Sequence, residues 1–391
     1  MTNRLGHYIL TRFPLNGGWE EVRAYLPAPL PPDPPVSVSH FVHLLEDARA
    51  ALGKLDGLAA FLPDPDTLLY SFVRKEAVVS SQIEGTQSSL SDLLVFESED
   101  APGAPVDSDV SEVSNYVNAL LHGQQRLADL PLSLRLIREV HARLMTGVRG
   151  GDRQPGEFRT SQNWIGGTRP GNAVFVPPPP ADLMKCLDAF EKFLHVENRE
   201  LPVLIKTAMA HVQFETIHPF LDGNGRVGRL LITLMLLANG LTERPLLYLS
   251  LYLKRNRERY YELLQKVRVD GDWEAWIEFF LIGVAESATR SVETAKRLLA
   301  VFERDGKRIE AIGRLASSAL HAHRYFQGRP ILSIGAVTRA LGVSFHAAKR
   351  AIGELERLGV VREITGKQRD RFFAYGEYLD ILSEGTEPLP R

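Results

Sequence analysis

Cysteine is almost absent, with Cys186 the only one in 391 residues. A single thiol excludes an intrachain disulfide framework and most cysteine-based metal sites. Excess charge of one sign is missing too. Lys plus Arg (46) nearly balance Asp plus Glu (48), leaving a formal net charge of −2. That excludes a global attraction to nucleic acid or to an anionic membrane, though it leaves local basic faces open. Long apolar runs are lacking as well; the longest, around residues 230–238, is too short to span a bilayer. The opening Met-Thr-Asn-Arg-Leu-Gly-His-Tyr-Ile-Leu-Thr-Arg has no apolar stretch of the kind a secretory leader carries. These readings predict a cytoplasmic protein without a membrane segment, long enough for two or three domains. No internal repeat is evident.

What is present is concentrated in residues 218–229, His-Pro-Phe-Leu-Asp-Gly-Asn-Gly-Arg-Val-Gly-Arg. Upstream, the stretch starting at Val203 has apolar residues at helical spacing; downstream, Leu230 to Ala238 is apolar nearly all round. The spacing predicts two helices, the second buried, with a glycine-rich loop opening it. The first amides of a helix lack intrahelical partners and sit at the positive end of its dipole, so such a loop suits an anion. Small residues let those donors approach phosphate oxygens closely. Each polar residue then has a chemistry of its own. His218 is the general-base candidate, since an imidazole titrating near neutrality can take a proton from a hydroxyl. Asp222 offers the hard oxygen that Mg²⁺ prefers. Gly223, Asn224 and Gly225 form the anion cradle, Arg226 pairs with phosphate, and Val227, Gly228 and Arg229 complete the nucleotide-binding stretch. Pro219 and Phe220 read as structural.

This pattern resembles the signature of the Fic/Doc superfamily, His-x-Phe-x-Asp/Glu-Gly-Asn-Gly-Arg-x-x-Arg, with every fixed position present. The resemblance implies transfer of AMP from Mg²⁺-bound ATP onto a protein hydroxyl, and it assigns Arg229 to the γ-phosphate. A second match lies upstream. Thr67 to Glu84 reads as a helix with Gly85 as the residue past its end, and Ser80 and Glu84 share one face. A carboxylate in the last turn opposes the helix dipole and wants a cationic partner. Ser80-Ser-Gln-Ile-Glu-Gly is similar to the family's inhibitory motif, by which Glu84 would pair with Arg229 and keep it from the γ-phosphate. A partly buried bidentate pair of this kind is a plausible lock.

Two further segments carry expectations. Asn163-Trp164-Ile165 and Ala173-Val-Phe-Val, joined by a Gly/Pro/Asn-rich turn, predict a β-hairpin. It is similar to the family's flap, which aligns a target by main-chain pairing. Leu249 to Leu264 predicts one helix, on which Tyr260 and Tyr261 match positions that contact the nucleotide base in relatives. Tyr260 reads equally as a core aromatic, and Asn256 could reach the adenine edge.

Punctuation divides the chain. Leu26 to Val36 is proline-dense and predicts an extended arm over a helical body. Glu97 to Asp107 reads as a polar loop. From Ser333 the pattern is helix, tight Gly turn, helix, strand, then a hairpin with a basic tip, which resembles a winged helix. Ser344–Leu358 would be its recognition helix and Gly366–Arg371 its wing. Lys349, Arg350, Lys367, Arg369 and Arg371 could meet phosphates, but Glu354, Glu356, Glu363 and Asp370 dilute that face. Both DNA and protein stay open as its partner. The expected fold is mainly α: a Fic helical core with a β-hairpin flap plus a C-terminal winged-helix domain. The expected domains are 1–108, 109–286, 287–327 and 328–391. The expected activity is an autoinhibited protein adenylyltransferase using ATP and Mg²⁺ on Ser, Thr or Tyr hydroxyls of a target protein, itself included. Two alternatives stand beside it: removal of AMP with Glu84 orienting a water, and a DNA-binding regulator that senses nucleotide without turnover. A homodimer and a nucleotide other than ATP, such as UTP, remain open.

Overall fold

The computed structural model describes residues 4–15, 18–60, 65–98, 108–148, 153–198, 200–313, 316–367 and 369–390. Most of the polar loop expected at Glu97–Asp107, and Gln368 in the expected wing, lie outside them. In chain order the elements begin with strands β1 (His7–Leu15) and β2 (Gly18–Leu26), then helices α1 (Val42–Ala60), α2 (Pro65–Ile83), α3 (Leu90–Phe96), α4 (Ser108–Arg126) and α5 (Leu134–Leu144). Helices α6 (Pro180–His195), α7 (Val203–Ile217), α8 (Asn224–Ala238), α9 (Ser250–Arg255), α10 (Arg257–Asp270), α11 (Trp273–Glu310) and α12 (Ala316–Gly328) follow. The chain closes with β3 (Ile331–Ser333), α13 (Ile334–Leu341), α14 (Phe345–Arg357), β4 (Val361–Glu363), β5 (Phe372–Tyr375) and α15 (Gly376–Ser383). The protein is mainly helical, as the periodicity predicts.

Two compact units emerge. The first comprises residues 1–51, 115–243 and 252–286. Its centre is the pair α7 and α8. Every residue of α7 from Leu204 to Ile217 is buried, polar ones included. A helix buried on every face lies inside its unit, so α7 forms the axis around which the unit packs. The proline-dense segment after β2 lies on this body, where the Gln213 side-chain amide donates to the Ala28 carbonyl at 2.9 Å. It is not uniformly extended, because the Leu30–Pro31 and Asp33–Pro34 bonds are cis.

Two departures from the sequence reading concern strands and helix ends. The paired hairpin is β1–β2, antiparallel with His7 opposite Leu26, and no sequence expectation had placed strands there. The segment expected as the flap hairpin carries one antiparallel bridge, Ile165 to Phe175, in place of regular strands. A short 3₁₀ turn at Pro170–Asn172 takes up part of its turn. The single helix expected over 249–264 is two, α9 and α10, divided at Asn256, whose φ of −111° and ψ of 34° leave the helical region.

The second unit comprises residues 52–114, 244–251 and 287–391. A three-stranded antiparallel sheet in the order β3-β5-β4 packs with α12, α13 and α14. Ser333 and Ser344 cap α13 and α14, each hydroxyl accepting an amide of its helix's first turn. Helix α2 belongs to this unit and is gripped within it. The Ser71 hydroxyl lies 2.6 Å from the Tyr378 hydroxyl, and the Gln82 amide donates to the Thr386 carbonyl at 2.8 Å.

Candidate active site

The loop between α7 and α8 turns sharply, and His218 makes the turn. It caps α7 in the left-handed region, at φ 50° and ψ 60°. A residue with a Cβ pays roughly 1–2 kcal/mol of strain there. Such a conformation persists only where its surroundings over-determine it, and here the His218 carbonyl is held twice. Arg159 Nε donates to it at 2.9 Å and Asn163 Nδ2 at 3.0 Å. Asn163 Nδ2 also reaches the Phe220 carbonyl at 2.9 Å, spanning the turn. Arg159 is buried and spends its remaining donors on the Ser161, Pro178 and Ile217 carbonyls. Burial lowers its pKa to about 10, which still leaves it charged at neutral pH.

Past the turn, Asn224 closes the loop on itself. Its Oδ1 accepts the Phe220 amide at 2.9 Å and its Nδ2 donates to the Phe220 carbonyl at 2.8 Å. Gly223 starts α8 at φ 75°, a glycine conformation, and a Cβ there would fall 2.9 Å from Met145 Sδ. The first intrahelical bond runs from the Val227 amide to the Gly223 carbonyl at 3.0 Å. The amides of Asn224, Gly225 and Arg226 precede it, at the positive end of the helix dipole. Arg226 and Arg229 are buried, at 4% and 2% exposure, and Val227 and Gly228 lie buried between them. A Cβ at Gly228 would sit 2.2 Å from Glu215 Oε1, so a larger residue there would displace that side chain.

Asp222 is the exposed member of the loop, its side chain 41% accessible. Its Oδ1 accepts the Gly223 amide at 2.7 Å and stands 3.9 Å from Arg226 Nη2. Among the described residues no group of three or more His, Cys, Asp or Glu could hold a metal. A lone accessible carboxylate beside an anion cradle fits Mg²⁺, which takes one or two carboxylates and fills its octahedron with phosphate oxygens and water.

The other expected residues distribute as follows. Asn163 clamps the His218 turn. Trp164 meets Phe13 of β1 edge-on at 5.8 Å, and Ile165 forms the bridge to Phe175. Strand β2 reaches the same segment, with the Tyr25 amide donating to the Val176 carbonyl at 2.9 Å. Tyr260 is 1% exposed, and its hydroxyl lies 2.8 Å from His211 Nε2. His211 Nδ1 faces the Gly228 carbonyl at 3.0 Å and must donate to it, so Nε2 accepts from Tyr260. Burial lowers the His211 pKa to about 3, keeping the ring neutral. Tyr260 therefore braces the core, and Tyr261, 40% exposed, has Arg257 over its ring at 5.4 Å. In the second unit Ser80 is buried within α2, and Glu84 lies one residue past its end with an exposed side chain. Gly85 follows at φ 102°.

Sequence reasoning missed Arg159 and His141. The latter, on α5, is 1% exposed and stacks face to face on Phe220, ring centres 3.7 Å apart. Burial lowers its pKa to about 4. Its signal was local, since His141 falls on the apolar face formed by Ile137, Val140 and Leu144.

Comparison with known proteins adds two kinds of likeness. Residues 42–125 match the family described as Fic/DOC family N-terminal, and residues 131–236 match the Fic/DOC family itself. A protein adenylyltransferase Fic from Aedes aegypti is 34% identical over 179 residues, 46% of this chain and 31% of the relative. One of the same name from Culex quinquefasciatus is 31% identical over 216 residues, 53% of this chain and 39% of the relative. The chain thus spans about a third of the length of these relatives. In fold it is similar to a crystal structure of a Fic family protein from Desulfovibrio desulfuricans G20. The TM-score is 0.52 at 21% identity, covering 85% of this chain and 95% of that one. It is also similar to Fic-1 (residues 134–508) from C. elegans, with a TM-score of 0.50 at 20% identity over 66% and 75% of the two chains.

Proposed function

Residues 42–125 and 131–236 belong to the Fic/DOC family, and on that footing we propose that the chain is a protein adenylyltransferase, moving AMP from ATP to a Ser, Thr or Tyr hydroxyl of a target protein, itself included. The observation that carries the reading is the conformation of residues 218–226. A strained histidine and a helix N-terminus converge on one loop, with an accessible carboxylate between them. His218 takes the hydroxyl proton as that oxygen attacks the α-phosphorus; the new P–O bond forms as the bond to the β-phosphate oxygen breaks, and pyrophosphate leaves. The amides of Asn224, Gly225 and Arg226, with the Arg226 guanidinium, receive phosphate oxygens, and Arg229 orients the γ-phosphate. Mg²⁺ held by Asp222 would neutralise charge on the α- and β-phosphates. Residues 163–165 present the target, and Tyr261, with Arg257 5.4 Å over its ring, lies against the base.

The proposal extends to restraint. Glu84, just beyond α2, withholds Arg229 from the γ-phosphate until something moves it. Labelling with α-³²P-ATP and Mg²⁺ tests both parts, using wild type, Glu84→Gly and Glu84→Gly/His218→Ala, alone and with host lysate. Strong label in Glu84→Gly alone supports an autoinhibited transferase. Equal label in wild type and Glu84→Gly removes the lock. No label in any sample removes the transferase reading in favour of another nucleotide, AMP removal or a non-catalytic sensor.

A second reading concerns residues 328–391, where strand, helix, helix, strand, strand follow one another as in a winged helix, with α12 before them and α15 after. On α14, His346, Lys349 and Arg350 are exposed on one face. By contrast Arg357, Arg362 and Arg371 pair with Glu354, Asp380 and Glu356. The cations Lys349 and Arg350 on that exposed face favour duplex DNA over protein as the partner here. A mobility shift lost in Lys349→Glu/Arg350→Glu supports this, and an unchanged shift refutes it. Among the described residues no helix is long and apolar enough to cross a membrane, and a cytoplasmic setting suits a chain using ATP.

A further inference from the structure

His141 occupies a place that its burial alone does not explain. Its Nδ1 accepts the amide of Gly156 at 2.8 Å. An Nδ1 that accepts carries no proton, so in the neutral ring the hydrogen is on Nε2. Nε2 lies 3.1 Å from the Asp222 carbonyl and therefore donates to it. One ring thus ties together two segments far apart in sequence. Gly156 begins the chain that runs through Arg159 and Asn163 to the bridge at Ile165. Asp222 is the loop's accessible carboxylate. The first junction is tight as well as bonded, since a Cβ on Gly156 would lie 3.0 Å from Ala142 Cβ. A histidine filling space could be replaced by any ring of its size. This one supplies an acceptor on one edge and a donor on the other, each used.

We propose that His141 is a positioning residue for the transfer reaction, setting the Asp222 main chain through Nε2 and the root of the 156–176 segment through Nδ1, independently of each other. This rests on the transferase reading for its consequence in catalysis, but its geometry can be tested without turnover. The two edges can be separated because the carboxamides mimic different ring atoms. In His141→Asn the side-chain oxygen lies near the Nδ1 position and can still accept from Gly156, while the donor to Asp222 is gone. In His141→Gln the amide nitrogen lies near the Nε2 position and can still donate to Asp222, while the acceptor for Gly156 is gone. Both variants lose the stack on Phe220, so that loss cancels between them.

The first readout needs no substitution. In wild type labelled with ¹⁵N-histidine, His141 is expected as the Nε2–H tautomer; an Nδ1–H tautomer overturns the assignment. The second is amide hydrogen exchange in the two variants. His141→Gln should speed exchange at Gly156 about tenfold or more and leave Phe220 and Gly223 near their wild-type rates. His141→Asn should do the reverse. Both regions loosened alike in both variants, or neither loosened, means a packing role and overturns the proposal. The third is the Mg²⁺ concentration needed for half-maximal ATP binding, expected to rise severalfold in His141→Asn and stay unchanged in His141→Gln. In the Glu84→Gly background the transfer KM for a protein target should rise only in His141→Gln. An absence of label in Glu84→Gly itself would instead sink the transferase reading while leaving the tautomer and exchange results to decide on His141.

Discussion

Replacing Asn163 by alanine should unlock the turn at His218, and the size of the effect follows from two hydrogen bonds and one unpaired oxygen. Asn163 Nδ2 donates to the His218 carbonyl at 3.0 Å and to the Phe220 carbonyl at 2.9 Å. A net contribution of about 1 kcal/mol per hydrogen bond makes the two worth about 2 kcal/mol. Alanine also removes Asn163 Oδ1, a buried acceptor with no hydrogen-bond partner among the described residues, which returns part of that loss. The expected destabilisation is therefore roughly 1–2 kcal/mol. This equals the strain of holding a non-glycine residue in the left-handed region, about 1–2 kcal/mol. The consequence should be larger for catalysis than for folding, because His218 would no longer be fixed where a proton has to be taken. Arg159 still holds the His218 carbonyl, so the turn is loosened and not abolished. Aspartate is the sharper probe. It keeps the shape of asparagine but aims an oxygen at two carbonyls, so Asn163→Asp should destabilise by more than Asn163→Ala. Urea denaturation followed by tryptophan fluorescence measures both, with Trp164 the adjacent reporter. In the Glu84→Gly background the transfer rate should fall by tenfold or more, with ATP affinity changed much less. A variant order with aspartate better tolerated than alanine would refute the argument.

Other perturbations follow from the same geometry. His218→Ala in the Glu84→Gly background should reduce transfer by about 10²–10⁴-fold, the range for a general base, with ATP binding retained in calorimetry; weakened binding would contradict the role. Gly223→Ala should destabilise by at least the roughly 1–2 kcal/mol of left-handed strain, since its Cβ also meets Met145 Sδ at 2.9 Å; an unchanged melting temperature would count against it. Stability should fall with acid below pH 6.5. His211 goes from the ordinary histidine value of 6.5 down to about 3 in the folded chain, because burial disfavours the charged ring. The unfolded chain then binds the extra proton, so stability is complete above 6.5 and lost as pH drops toward 3, by up to about 1.4 kcal/mol per unit. A melting temperature flat from pH 7 to pH 5 would refute that.

The loop was legible because its information is local. Twelve consecutive residues between two apolar stretches announce two helices and a glycine-rich turn; α7 begins at Val203 and α8 ends at Ala238 as that reading has them, while α8 begins at Asn224, six residues ahead of the apolar run. What escaped acts across distance. Arg159 and Asn163 reach the His218 carbonyl from 59 and 55 residues away. His141 reaches Asp222 across 81. Side chain to main chain bonds of this span leave no periodic trace. Tyr260 shows the converse, since a motif position marks where a residue lies along the chain and not which way its ring faces. The β1–β2 hairpin had a signal that went unused. Asn16-Gly17 separates two runs rich in aromatic and branched residues, the dipeptide that favours tight hairpin turns.

That hairpin underlies the segment at 163–176. Val22 and Ala24 form one apolar cluster with Val176, with Ile9, Phe13, Trp164 and Ala173 packed against it. Arg169 is held by Glu20 at 2.8 Å. The surface beside the loop is therefore shaped by two stretches of chain that contribute nothing to the signature. Substitutions at residues 9–24 can remodel it while the twelve residues that would handle the nucleotide stay as they are. Selection could then act on partner choice and on chemistry as separate heritable traits, each with its own stretch of sequence to vary.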